Sequence, residues 1–378
     1  MKNILATGSL ILIAGLIFAF AACGSGASMV KPSPTETKPN PAVKLAFTTQ
    51  PPGSTVAGSE FNSPLIVAVE DAQGSLATGY KGLITLTITA GTGNSEAKLF
   101  GGTKTLPING TAEFKSISID KVGVGYTLTA TSGNLLSATS APLTVLPGAP
   151  AKLAFSVQPP EGQAGTPLTP YPEVIVQDLN GNIVTGYKGS VTLQAIVSYE
   201  DLSDPNQYQP NIVRVPTALS GTTTVRVING LARFTDIAGQ LARPNYTLIA
   251  SSDSLSSATS ASFTILPGAP AKLEFTVQPS GGVMGKIFET QPKVAIEDAY
   301  GNVARSSRAS ITVSITPGTG STGAVLSGAN TLIADDVFGG VAEFADLSID
   351  LAGSGYTLTA TSGGMPSVKS QAFNVSAP

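Results

Sequence analysis

Carboxylates and one cysteine, Cys23, are the residues of this sequence best suited to chemistry, because histidine is absent. Without an imidazole there is no Ser-His or Cys-His nucleophile and no histidine metal site. Paired carboxylates can act as acid and base on a glycosidic bond when they face each other about 5–9.5 Å apart across a cleft. Glu70-Asp71 and Glu297-Asp298 are such pairs by type, but neighbours on a strand point to opposite faces. Beside Asp178 the corresponding residue is Gln177. The stretch Asp178-Leu179-Asn180-Gly181-Asn182 offers oxygens in the spacing that opens a calcium loop. Such a loop then needs Gly and Glu where the chain has Ile183 and Gly189. Asn-Gly is hairpin chemistry, and aspartate accepts local backbone N–H groups in a turn. The residues read as non-enzymatic, with no cofactor.

A second cluster of interest is SYEDLSDPNQYQPNIVRVP, starting at Ser198. Tyr199, Glu200, Asp201, Asp204 and Tyr208 combine aromatic faces with acids and amides, which suits stacking on and hydrogen bonding to a sugar or a peptide. Extra loop length costs little, so tolerated length is the plain alternative.

The elements that carry these residues come from a repeat. VKLAFTTQPP begins at Val43, AKLAFSVQPP at Ala151 and AKLEFTVQPS at Ala271. A unit of roughly 110–120 residues is a self-contained domain rather than a solenoid turn. Landmarks keep step in all three copies: Asp71, Asp178 and Asp298 after the second strand, then Phe114, Phe234 and Phe344, then Tyr126, Tyr246 and Tyr356. GYTLTATSG occurs twice, and NYTLIASSD stands in the same place in the middle copy. Within strands the period is two: Ile84, Leu86 and Ile88 alternate with threonines, as do Leu128 and Ala130. That is the pattern of half-buried antiparallel strands. About seven strands per copy with frequent turn signals predict an all-β chain of three tandem antiparallel β-sandwiches. Tyr126, Tyr246 and Tyr356 are expected to form tyrosine corners, with the ring in the core and the hydroxyl on backbone. The predicted domains are 43–147, 151–267 and 271–378. The middle one carries an insertion at 198–212.

The N-terminus has a different character. Met1-Lys2-Asn3 precedes an uncharged apolar run from Ile4 to Ala22, and Cys23 follows. This reads as a signal peptide over 1–22. Phe20-Ala21-Ala22-Cys23-Gly24 resembles the lipobox of bacterial lipoproteins, with Phe20 where leucine is usual. The resemblance implies a lipidated Cys23 as the first mature residue. Residues 23–42 are rich in proline and poor in apolar side chains, as a disordered tether would be.

The motifs AKLAFSVQPP and VIVQDLNGNIVTGYKGSVTL, with the Tyr-Thr-Leu strand, resemble the tandem bacterial immunoglobulin-like domains of invasin- and intimin-type surface proteins. The resemblance implies an immunoglobulin-like fold and an extracytoplasmic, membrane-anchored setting. The linkers Leu146-Pro147-Gly148-Ala149-Pro150 and Leu266-Pro267-Gly268-Ala269-Pro270 are short and stiffened by proline. Formal net charge is −3 and no basic block exists, so a nucleic-acid partner is not expected. Expected partners are the membrane, through the lipid, and an extracellular glycan, matrix or protein. The expected role is a semi-rigid stalk, structural or adhesive. The alternative is a carbohydrate- or peptide-binding lipoprotein acting through the middle-domain insertion.

Overall fold

The computed structural model describes residues 40–201, 211–334 and 339–378, with the backbone alone described at 199–201 and 211–213. Among the described residues every regular element is a strand. They form three immunoglobulin-like β-sandwiches, each around its own apolar core. The expected signal segment, Cys23 and the tether up to residue 39 lie outside the described residues.

In the first domain one sheet is Lys44–Thr49, Leu65–Glu70 and Thr111–Phe114, all antiparallel. The facing layer holds Ile84–Ile88 and Leu128–Thr131 at its centre, edged by Ala138–Thr139 and Lys104–Thr105. Period-two alternation sets the register there. Ala130 pairs Leu86 and Leu128 pairs Ile88, while Thr129 pairs Thr87 and Thr131 pairs Thr85. Leu86, Leu128 and Ala130 are buried and Thr87 and Thr131 are exposed, so one face makes the core and the other is wetted. Each fully buried Leu, Ile or Val contributes about 1.5–3 kcal/mol over leaving it in water.

The repeated Gln-Pro after the first strand has a structural task. The chain leaves the first sheet after Thr49, crosses the edge of the sandwich, and runs Ser54–Val56 parallel to Leu143–Leu146 in the other layer. Proline has no N–H to leave unpaired at such a crossing. Pro51, Pro159 and Pro279 are buried there. The preceding glutamine closes the gap: the Gln50 side-chain oxygen accepts the Ala141 N–H at 2.8 Å. Gln158 accepts from Ala261 and Gln278 from Gln371 in the same way.

Tyr126, Tyr246 and Tyr356 are completely buried. Each hydroxyl donates to the carbonyl five residues upstream: Tyr126 to Lys121 at 2.8 Å, Tyr246 to Leu241, and Tyr356 to Leu351 at 2.9 Å. The ring of Tyr126 lies on Gly93, whose φ is +63°; a Cβ there would come 2.2 Å from the tyrosine Cδ1. Gly320 stands under Tyr356 in the same manner. The tyrosine thus ties the corner that leads into its strand to the core beneath it.

Tyr126→Phe keeps the ring and orphans the Lys121 carbonyl. The expected result is a native circular-dichroism spectrum with the domain destabilised by about 1–2 kcal/mol in denaturant titration. An unchanged midpoint would mean that water replaces the hydroxyl without loss.

Candidate functional site

Two places depart from a plain string of sandwiches: the middle domain's long hairpin and the two junctions. In the middle domain the strand Ser190–Asp201 replaces the much shorter Ile84–Ile88 and Ser310–Ile315 of its neighbours. Its first part pairs with Thr224–Arg226 and with Arg243–Ser251 as far as Val197 opposite Tyr246. Its far part pairs with Asn211–Thr217, from Ala195 opposite Thr217 to Asp201 opposite Asn211. The described ends of the insertion, Ser198–Asp201 and 211–212, are therefore paired strands that continue this ladder. Tyr199, Glu200 and Asp201 lie on this ladder, opposite Val213, Ile212 and Asn211. Asp204 and Tyr208 lie outside the described residues.

The junctions are built from the turns that follow Glu173–Gln177 in the second domain and Lys293–Glu297 in the third. Asp178 is 1% exposed, and its Oδ1 accepts the Asn182 N–H at 2.8 Å. Its Oδ2 accepts the linker Gly148 N–H at 2.9 Å and the Asn182 side-chain N–H at 2.9 Å. The Asn182 carboxamide then reaches the preceding domain. It donates to the Asp120 carbonyl at 2.8 Å and accepts the Val122 N–H at 3.1 Å. Asn180 donates to the Ala57 carbonyl, and the Lys121 ammonium donates to the Asn180 carbonyl, both at 3.0 Å.

The second junction repeats the design. Asp298 accepts from Tyr300, Asn302 and linker Gly268. Asn302 donates to the Gln240 carbonyl at 2.7 Å and accepts the Ala242 N–H at 2.8 Å. Tyr300 takes the place of Asn180 and lies over Gly165, where a Cβ would come 2.2 Å from the ring. In the first domain the same turn ends in Ser75 instead of asparagine. Asp71 accepts the Gln73 and Ser75 N–H groups, and the Asn40 side chain donates to its other oxygen at 2.6 Å.

Burial works against charge on Asp178 and Asp298, but the donors from Asn182 or Asn302, from the linker glycine and from the turn outweigh it. Both carboxyls are held below the usual aspartate range. At Asp71 the Asn40 side chain is the main cause of a similar lowering. N–H donors occupy both oxygens of Asp178 and of Asp298, the positions a calcium ion would need. Among the described residues no three of His, Cys, Asp and Glu are grouped to hold a metal ion.

The sequence offers Asn182 only as an oxygen of a calcium-like turn and gives Asn302 no role, because Asn-Gly-Asn and Tyr-Gly-Asn are already sufficient as turns. The signal that distinguishes them is the contrast with Ser75 at the one turn that has no sandwich packed before it in the described chain.

No protein-family model and no curated protein matches this chain. Similar solved structures include Escherichia coli α2-macroglobulin activated by porcine elastase, at 14% identity and TM-score 0.29, covering 88% of this chain and 32% of that one. Invasin, a bacterial integrin-binding protein, matches at 13% identity and TM-score 0.28, covering 87% of this chain and 60% of that one. The Yersinia pseudotuberculosis adhesin InvE matches at 15% identity and TM-score 0.23, covering 60% of this chain and 59% of that one. The chain thus spans less than two thirds of each of these proteins. Overlaps with TM-scores this low carry no functional inference.

Asn182→Ala removes the carboxamide from the first joint and should weaken it by about 1–2 kcal/mol. The check is energy transfer between dyes on the first and second domains, which should broaden while the melting of each domain stays put. The turns that carry the clasps also respond to acid with a definite sign. A carboxyl whose folded pKa is lowered contributes stability that is complete above its unfolded value, about 3.9, and is lost as pH falls through the lower folded value. The melting midpoints of the second and third domains should hold from pH 8 to 5 and fall below about pH 4.

Proposed function

We propose that this chain is a non-enzymatic extracytoplasmic stalk, held to a membrane by lipid on Cys23, that positions or presents a contact surface away from that membrane. The observation that carries the reading is the clasp made twice with the same atoms. Interfaces between domains of one chain are ordinarily open to relative motion. Here a short proline-containing linker is combined with a buried Asp–Asn pair that hydrogen-bonds the domain before it. A hinge at that point has to break these bonds together, so the joints resist bending. Three sandwiches held end to end make a rod about three times as long as one domain.

Small-angle scattering tests the stalk directly. The expected profile is that of a rod, with a radius of gyration well above the roughly 21 Å of a compact 378-residue particle. A compact particle would overturn the reading. The anchor has its own test. Mass spectrometry of the native protein should find an acylated N-terminal Cys23, and Cys23→Ser should shift the protein out of the membrane fraction. An unmodified Cys23 would leave the stalk without this attachment.

The insertion of the middle domain favours a second reading, a glycan- or peptide-binding lipoprotein. A pure spacer has no use for a hairpin on one domain of three, and two-stranded ribbons are marginal by themselves. Deleting residues 199–210 should leave the melt unchanged and abolish binding to cells, matrix or a glycan panel. Unchanged binding would return the function to the rod.

A further inference from the structure

The two junctions share one design, so a difference between them is informative. The residue after the Val122 N–H that meets Asn182 is Gly123; the residue after the Ala242 N–H that meets Asn302 is Arg243. Three positions beyond the clasp asparagine the first junction has Thr185 and the second has Arg305. Both arginines line one cleft of about 500 Å³ between the second and third domains, with Pro244, Leu266, Pro267 and Asn302 among its other walls. Among the described residues no Asp or Glu lines this cleft. Both side chains are exposed, and among the described residues the ion pairs use other cations: Lys44, Lys115, Arg233, Lys272 and Lys293.

A cleft of this size is in the range of small-ligand sites. Two arginines among its lining residues, with no described acid beside them in that lining, favour an anion, and the planar fork of arginine matches a carboxylate through two parallel N–H···O bonds. The joint beneath is held by the Asn302 clasp, so little ordering is needed on binding. The backbone around the cleft argues against an extended peptide. Phe263–Leu266 is already paired on both sides, by Arg243–Ser251 and by Gly162–Gln163, and offers no free edge for strand addition. Pro244, Leu266 and Pro267 instead supply an apolar surface that suits the C–H face of a sugar ring.

We propose that the cleft between the second and third domains binds a carboxylate-bearing saccharide, with Arg243 and Arg305 as the carboxylate ligands. The site is separate from the insertion of the middle domain and does not depend on the anchor.

The test is calorimetric titration of the full chain in detergent with an oligosaccharide of galacturonic acid. A neutral galactose oligomer and hexaglutamate serve as comparison probes. The acidic saccharide should bind, more weakly as salt rises, and the other two should bind at least tenfold more weakly. Arg243→Gly and Arg305→Thr, which install the residues of the first junction, should each reduce affinity tenfold or more with an unchanged melt. Arg305→Lys should recover only part of the loss. The proposal is overturned by any of three results: no binding of the acidic saccharide, equal binding of either comparison probe, or binding that survives the double substitution.

Discussion

Everything above the level of the single sandwich depends on one carboxamide whose two ends are satisfied at the same time. The nitrogen of Asn182 donates to its own domain's Asp178 and to the Asp120 carbonyl of the domain before, while its oxygen accepts the Val122 N–H. No shorter side chain offers a donor and an acceptor in this geometry, and a charged one would lose half of the exchange. Because the group is nearly buried, breaking one bond exposes the others to poorer partners. The joint therefore opens as a unit or remains closed. Gly148 brings the linker into the same network, so the connection between domains and their packing are stabilised by the same aspartate.

The sandwich itself was largely legible in the residues. Strands such as Ile84–Ile88 and Leu128–Thr131 announce themselves because threonine and aliphatic residues alternate, and the alternation has only one use in water. The position of Tyr126 after a glycine-rich corner was equally readable. The insertion was readable as an excess but not in form. Nothing in Ser198–Asp201 distinguishes a loop from a strand, and pairing with Asn211–Arg214 depends on a partner across the turn. The clasp and the arginine cleft were not readable at all. Asp178 through Asn182 satisfies turn chemistry locally, and Arg243 and Arg305 are far apart in sequence. What unites them is the placement of one domain on another, which no local pattern encodes.

The Gln-Pro motif lies between these cases. It recurs, so it was visible, yet its reason is long-range. The proline removes an N–H where the chain changes sheets, and Gln50 spans to Ala141 at the other end of the domain. Recurrence in a tandem chain thus marks constraint without saying which kind. Comparing copies is more informative where they differ, as Gly123 against Arg243 and Ser75 against Asn182 demonstrate.

Ser75 has a consequence for how molecules meet one another. A joint that plugs the turn of one domain into the end of another is head-to-tail, and head-to-tail contacts that do not close into a ring grow into open filaments. The first domain's turn lacks the carboxamide, and Asn40 already occupies its aspartate. The contact that stacks the domains of one molecule is thus one that the turn of its first sandwich does not offer to a neighbouring molecule.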